Sequence, residues 1–93
     1  MRIIKILPSF ERSLKKLSSH DKDKLKKSLV QFNEFLTSDI MPAGLGFKKI
    51  NHDKYEIRVD IHIRIIVKIE KECVYLVLAG SHNDVKRYLR EYK

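Results

Sequence analysis

The sequence predicts an α+β fold, and three features carry the prediction. Apolar residues recur at helical spacing between Phe10 and Leu36, then at every second position from Phe47 onward, as on strands with one buried face. After Gly80 helical spacing returns in a basic stretch. The 93 residues suit one small domain, residues 1–93, and the 43% hydrophobic content is enough for a single core.

The elements come in order along the chain. Arg2-Ile3-Ile4-Lys5-Ile6-Leu7 reads as a short strand that Pro8 ends, with Ser9 placed to cap the next element. Phe10, Leu14 and Leu17 mark that element as a short amphipathic helix over residues 10–17. Ser18-Ser19-His20-Asp21 interrupts it and offers the next N-cap. Leu25, Leu29, Phe32 and Leu36 mark a longer second helix, whose exposed face carries Lys22, Lys24, Lys26 and Lys27. So short a link makes the two helices an antiparallel hairpin. Met41-Pro42-Ala43-Gly44-Leu45-Gly46 is a loop.

Strands are expected near residues 47–50, 55–60, 63–69 and 73–79, with turns at 51–54 and 70–72. Asp60-Ile61-His62 closes the middle hairpin. Its odd length matches the odd-numbered apolar residues on both flanking strands, which would face the core together. Ser81 and Asp84 have capping-box-like spacing before a helix with Val85, Tyr88, Leu89 and Tyr92 on one face and Lys86, Arg87 and Arg90 off it. The expected architecture is an N-terminal strand and a helix hairpin packed on a twisted antiparallel sheet, followed by a short C-terminal helix.

The parity of the middle hairpin points to a site. If odd residues of Tyr55-Glu56-Ile57-Arg58-Val59-Asp60 and Ile63-Arg64-Ile65-Ile66-Val67-Lys68-Ile69 face the core, Arg58 and Arg64 share the opposite face. Like charges across a ladder are destabilising. One reading is that they hold an anion such as phosphate; the other is a pair of solvated sheet residues. Glu56 has the same parity, and is either a general base or an ion-pair partner of Arg58 or Lys68. His82 comes after the cap and is either an acid–base group or a surface histidine. His20, His52 and His62 fall in turns, and Tyr55, Tyr88 and Tyr92 read as packing residues.

The formal charge of +8 suits a polyanion such as nucleic acid, or an acidic protein partner, and is also a common solubility device. The single cysteine, Cys73, excludes an internal disulfide and reads as a buried core thiol. Cysteine and histidine spacings give no zinc pattern, and no metal or cofactor is expected. No run is long enough to span a membrane and no leader is apparent, so a cytoplasmic protein is expected.

This order, with Tyr55-Glu56-Ile57-Arg58-Val59, Arg64-Ile65-Ile66-Val67-Lys68-Ile69 and Gly80-Ser81-His82-Asn83-Asp84-Val85, resembles the RelE/ParE superfamily of small bacterial and archaeal toxins. The resemblance implies two activities. RelE-like members are endoribonucleases that cut mRNA in the ribosomal A site without metal, and ParE-like members poison DNA gyrase. It also implies a cognate antitoxin whose extended segment wraps the toxin. By position, Arg58 and Arg64 match the basic residues that grip the scissile phosphate in RelE-like enzymes, and His82 falls where some members carry an arginine and others a catalytic histidine. Glu56 stands where the ribonuclease pattern has a lysine, and Lys86 where many members have an aromatic residue. The ribonuclease is therefore expected to use Arg58, Arg64, His82 and Glu56 in catalysis and Lys48, Lys49, Lys86 and Arg87 on RNA, with mRNA and the ribosome as partners. A gyrase-binding toxin and a degenerate toxin-fold binding protein are the alternatives.

Overall fold

The computed structural model describes residues 3–91. The elements are β1 (Ile3–Ile6), α1 (Pro8–Leu14), α2 (Ser19–Ser38), β2 (Gly46–Lys49), β3 (Lys54–Arg58), β4 (Arg64–Glu70), β5 (Cys73–Gly80) and α3 (His82–Glu91). Arg2 and Tyr92, expected in the first strand and last helix, lie outside the described residues. The strands form one five-stranded sheet in the order β1-β5-β4-β3-β2. Four of them are antiparallel neighbours, as expected. β1 instead lies parallel to β5, so the sheet is mixed rather than wholly antiparallel.

Helices cover both sheet faces. Phe10 of α1 and Leu25, Phe32 and Leu36 of α2 pack on Ile57, Ile65, Val67, Val74 and Leu76. Phe47 stacks between Phe32 and Tyr55 on that side, with ring centres 5.5 and 5.1 Å away. On the other face Val85 of α3 packs on Ile66 and Val77, with Tyr88 and Leu89 against them. Cys73, expected in the core, is half-buried at the start of β5.

A register shift in β5 supplies the floor for α3. Ile66 pairs with Leu78 and Val67 with Leu76, which leaves Val77 as an extra residue. Val77 and Leu78 both join the α3 side as a result. The bulge and the end of β1 free backbone groups on β5, and α1 meets them. Ser9 Oγ donates to the Val77 carbonyl at 2.6 Å, and the Ala79 N–H donates to Ser13 Oγ at 3.0 Å. Ser9 is therefore not the cap of α1. The helix starts two residues earlier, at Pro8 with Leu7 as its N-cap residue, where the missing N–H costs nothing.

The remaining helix starts match the sequence. Ser18 Oγ accepts the Asp21 N–H at 3.1 Å and caps α2. Lys24, expected on the solvated face of α2, is instead half-buried and paired with Asp60. Ahead of α3 the Ser81 N–H and Oγ each donate to Asp84 Oδ2 at 3.0 Å, and Ser81 Oγ accepts the Asp84 N–H at 3.1 Å. These bonds from Ser81 hold the Asp84 carboxyl below its ordinary value. Gly80 leaves room for that reciprocal cap, since a Cβ there would fall 2.8 Å from Asp84 Oδ2. Among the described residues no helix is long and apolar enough to cross a membrane. Ser81→Ala should cost about 1 kcal/mol of stability in urea unfolding, the usual cost of a lost N-cap. An unchanged midpoint would mean that α3 is fixed by packing alone.

Candidate functional site

The middle hairpin places its arginines as the parity argument requires. Arg58 of β3 and Arg64 of β4 are direct cross-strand partners, one residue from Ile57 and Ile65, which are fully buried in the core. The same row continues to Gly46 on one side and Gly80 on the other. The arginine pair is thus flanked by two positions that carry no side chain. The space over Gly80 is taken by the Asp84 carboxylate of the α3 cap, and Gly46 is the open side of the pair.

The two arginines differ. Arg58 is exposed, whereas Arg64 is half-buried and its Nη1 donates to Glu56 Oε1 at 2.5 Å. Glu56 is itself only 7% exposed, set one row below on the same face. Of its two expected roles, the geometry realises ion pairing, with Arg64 rather than with Arg58 or Lys68. A buried carboxylate bound to one arginine fixes that guanidinium in place and leaves the other free. Arg64 Nε is buried and has no hydrogen-bond partner among the described residues. Arg64 is therefore not a simple solvated residue, and its removal would strand a buried charge.

The α3 helix borders this ground. Asp84, Arg87, Tyr88 and Glu91 line a cleft of about 630 Å³ between α1 and α3, along with Arg12 and Lys16. At 100° per residue, that leaves His82, Lys86 and Arg90 on the opposite flank, with Val85 facing the sheet between. His82 and Lys86 are one turn apart and exposed on the flank of α3 away from the α1 cleft. His82 lies two residues beyond Gly80, which pairs with Arg64. No side-chain hydrogen bond or ion pair joins His82 to Arg58, Arg64 or Glu56 among the described residues. Arg87 turns into the α1 cleft and pairs with Asp84 at 3.6 Å. The same cleft reaches Ile63 and Gly80, the residue before Arg64 and its cross-strand partner.

Of the two lysines after the glycine loop, Lys48 pairs with Glu56 and shares the arginine face; Lys49 pairs with Tyr55 and points to the helix-covered side. His62 is exposed in the hairpin turn, and His20 and His52 are exposed away from it. Among the described residues no group of three or more His, Cys, Asp or Glu is placed to hold a metal ion.

One contributor was hidden in the sequence. Asp60 Oδ1 accepts the His62 and Ile63 N–H groups at 2.7 Å each, and Oδ2 accepts Lys24 Nζ at 2.9 Å. The turn joining Arg58 to Arg64 is thereby closed from within and tied to α2. Only its Asx-turn spacing, Asp60 two residues before His62, is a sequence signal.

This arrangement is the fold of the RelE-like toxins. The chain superposes on the RelB–RelE antitoxin–toxin complex from Methanococcus jannaschii with a TM-score of 0.68 and 21% identity, over 89% of this chain and 95% of that one. It superposes on the E. coli DinJ–YafQ complex with a TM-score of 0.68 and 16% identity, over 91% and 98%. A metal-bound toxin from Helicobacter pylori gives 0.65 and 20%, over 91% and 99%. No family model matches the sequence, and no curated protein matches it.

Asp60 gives a pH signature. Its bond from Lys24, aided by the Ile63 and His62 N–H groups, lowers its pKa from 3.8 to about 2. Because the folded value is the lower one, the contribution is complete above the ordinary value and fades as pH falls toward 2. Asp60→Asn should cost about 1–2 kcal/mol at neutral pH and flatten the acid limb of a stability-versus-pH curve from urea unfolding. An unchanged acid limb would exclude Asp60 as its source.

Proposed function

We propose that this chain is the toxin of a type II toxin–antitoxin pair and cleaves mRNA on the ribosome. The observation that carries the reading is the Arg58–Arg64 pair, set side by side between two glycines on a sheet face with a buried carboxylate aiming one of them. The toxin role is supported by the fold shared with RelE and YafQ. A cognate antitoxin partner is supported by the neighbours that are toxin–antitoxin complexes. It also suits the free edge at β1, where Ile3 and Ile6 are 56% and 55% exposed and main-chain groups stand ready for an added strand.

The reaction is attack of a ribose 2′-oxygen on the adjacent phosphorus. An O2′–P bond forms, the P–O5′ bond breaks, and the products are a 2′,3′-cyclic phosphate and a 5′-hydroxyl. Negative charge grows on the non-bridging oxygens. Arg64, held by Glu56, is a fixed cation aimed at that charge, and Arg58, free and exposed, closes on it from the neighbouring strand; such charge stabilisation is usually the largest catalytic contribution. One proton leaves the 2′-oxygen and one reaches the 5′-oxygen. His82, on the exposed flank of α3, performs one of these transfers, and Lys86 one turn on adds charge at the phosphate. Glu56 is engaged by Arg64, so its part is to position that guanidinium. Lys48 extends the basic ground toward the sheet edge.

The purified chain should cleave mRNA on translating ribosomes in the presence of EDTA, with ribosome integrity maintained separately. Arg58→Ala should lower the rate by roughly a hundred- to a thousandfold at nearly unchanged stability, since Arg58 is exposed. His82→Ala should lower it by roughly a hundred- to ten-thousandfold. Arg64→Ala should lose both activity and stability, because Glu56 is left buried without its partner. If His82→Ala cuts like the parent, the proton transfer is not carried by His82. Growth arrest by an Arg58→Ala chain that no longer cuts would favour a non-catalytic, gyrase-type toxin.

A further inference from the structure

Four residues outside this machinery form a second row across the same face. Strand register sets Lys5 of β1, Tyr75 of β5, Lys68 of β4 and Lys54 of β3 side by side. The side chains agree, with Lys5 Nζ 6.0 Å and Lys68 Nζ 5.8 Å from the centre of the Tyr75 ring. The row stands four residues from the arginine pair along both β3 and β4, so its residues point the same way as Arg58 and Arg64. At about 3.3 Å per residue the two rows are ~13 Å apart. That is the reach of a short stretch of extended single strand.

The charges in this row are only partly answered. Lys54 meets Asp53 at 3.4 Å, and Lys68 meets Glu70 at 3.4 Å and Asp53 at 3.8 Å. Lys5 is exposed and has no carboxylate partner among the described residues; it lies instead against the Tyr75 ring. Lys68 and Glu70 are about a third and half exposed, so their long ion pair is weak and easily exchanged. Three ammonium groups face two carboxylates, and the buried Glu56 and Ile66, the latter packed under Val85 of α3, lie between this row and the arginine pair.

We propose that the Lys5–Tyr75–Lys68–Lys54 row is a second phosphate-binding strip, holding the backbone of the same single-stranded RNA a few nucleotides from the bond that the arginines address. The ring of Tyr75 keeps Lys5 and Lys68 apart and anchored, one on each side, by cation–π attraction. Glu70 occupies Lys68 until a phosphate replaces it. The strip rests on the RNA-cleaving reading and adds a length requirement to it. A strand that reaches both rows is held at two points, and a shorter one at the arginines alone.

The test uses the full chain and a 2′-O-methylated oligouridylate, which cannot be cleaved by the 2′-oxygen. Binding is titrated against salt with one long and one very short oligomer. Replacing Lys5 and Lys68 by Gln together should weaken the long oligomer roughly ten- to a hundredfold at low salt and reduce the salt slope by about 0.7 for each phosphate no longer neutralised. The short oligomer should be affected little. Glu70→Gln should do the opposite and tighten the long oligomer, an effect that a purely structural ion-pair network would not produce. Replacing Lys26 and Lys27 on α2 makes the same change of charge elsewhere and should leave the slope near that of the parent. If Arg58→Ala weakens the long oligomer while the row variants bind like the parent, the strip is refuted and the RNA reading stands. If the parent binds neither oligomer at low salt, the strip is refuted, and the cleavage reading is decided by the ribosome assay alone. If the row variants lose an acidic polypeptide such as polyglutamate but not RNA, the row is a protein-docking surface and the strip is refuted.

Discussion

The register of the β3–β4 hairpin is the constraint on which the rest of the molecule depends. Side chains alternate along a strand, so a slip of one residue would exchange the two faces completely. Ile57 and Ile65 would leave a core in which both are fully buried, and Arg58 and Arg64 would enter it. The hydrophobic cost of that exchange, about 1.5–3 kcal/mol for each large apolar side chain exposed, locks the arginines onto the opposite face. Asp60 closes the turn at the same point by taking two N–H groups and Lys24. Core packing and turn chemistry therefore agree on one pairing, and the placement of the arginines needs no interaction of its own.

The bulge in β5 decides which part of that face stays open. Without an extra residue, Val77 and Leu78 would point to opposite sides. With it, both turn toward α3 and complete a small second core with Ile66 and Val85. α3 is thereby seated over β4 and β5, with Ile50 after β2 packed against the same cluster, and Arg58 at the end of β3 stays exposed. Bulging a strand frees backbone groups, and the α1 serines receive them.

Much of this was legible in the chain. Period two and odd parity located the hairpin and put Arg58 with Arg64, and Ser81 with Asp84 marked the start of α3. Other parts were not legible, for physical reasons. The run from Cys73 to Ala79 is apolar on both sides, so its pattern carries no parity and hides the bulge. Ile3-Ile4-Lys5-Ile6 is equally two-sided and says nothing of which strand it joins or in which direction. The lysine row is invisible until β1 is known to lie beside β5. Ser9 looked like a cap because the acceptor it serves, the Val77 carbonyl, is 68 residues away. Glu56 could be placed on the arginine face from parity, but its choice of Arg64 over Arg58 or Lys68 depends on side-chain reach and burial.

That choice shapes the electrostatics of the whole face. In a chain with formal charge +8, a carboxylate that is 7% exposed stands out, and an unpaired one would be costly to bury. Pairing it with Arg64 meets that cost and removes the rotamer freedom of a guanidinium that a solvated site would leave mobile. Two adjacent arginines would otherwise repel each other across the ladder. Glu56 offsets that repulsion from below, on the side away from the glycine-flanked opening. The pair retains a net positive charge toward solvent, one cation held and one free, and an anion arriving beside Gly46 meets in Arg64 a donor whose orientation has already been set by folding.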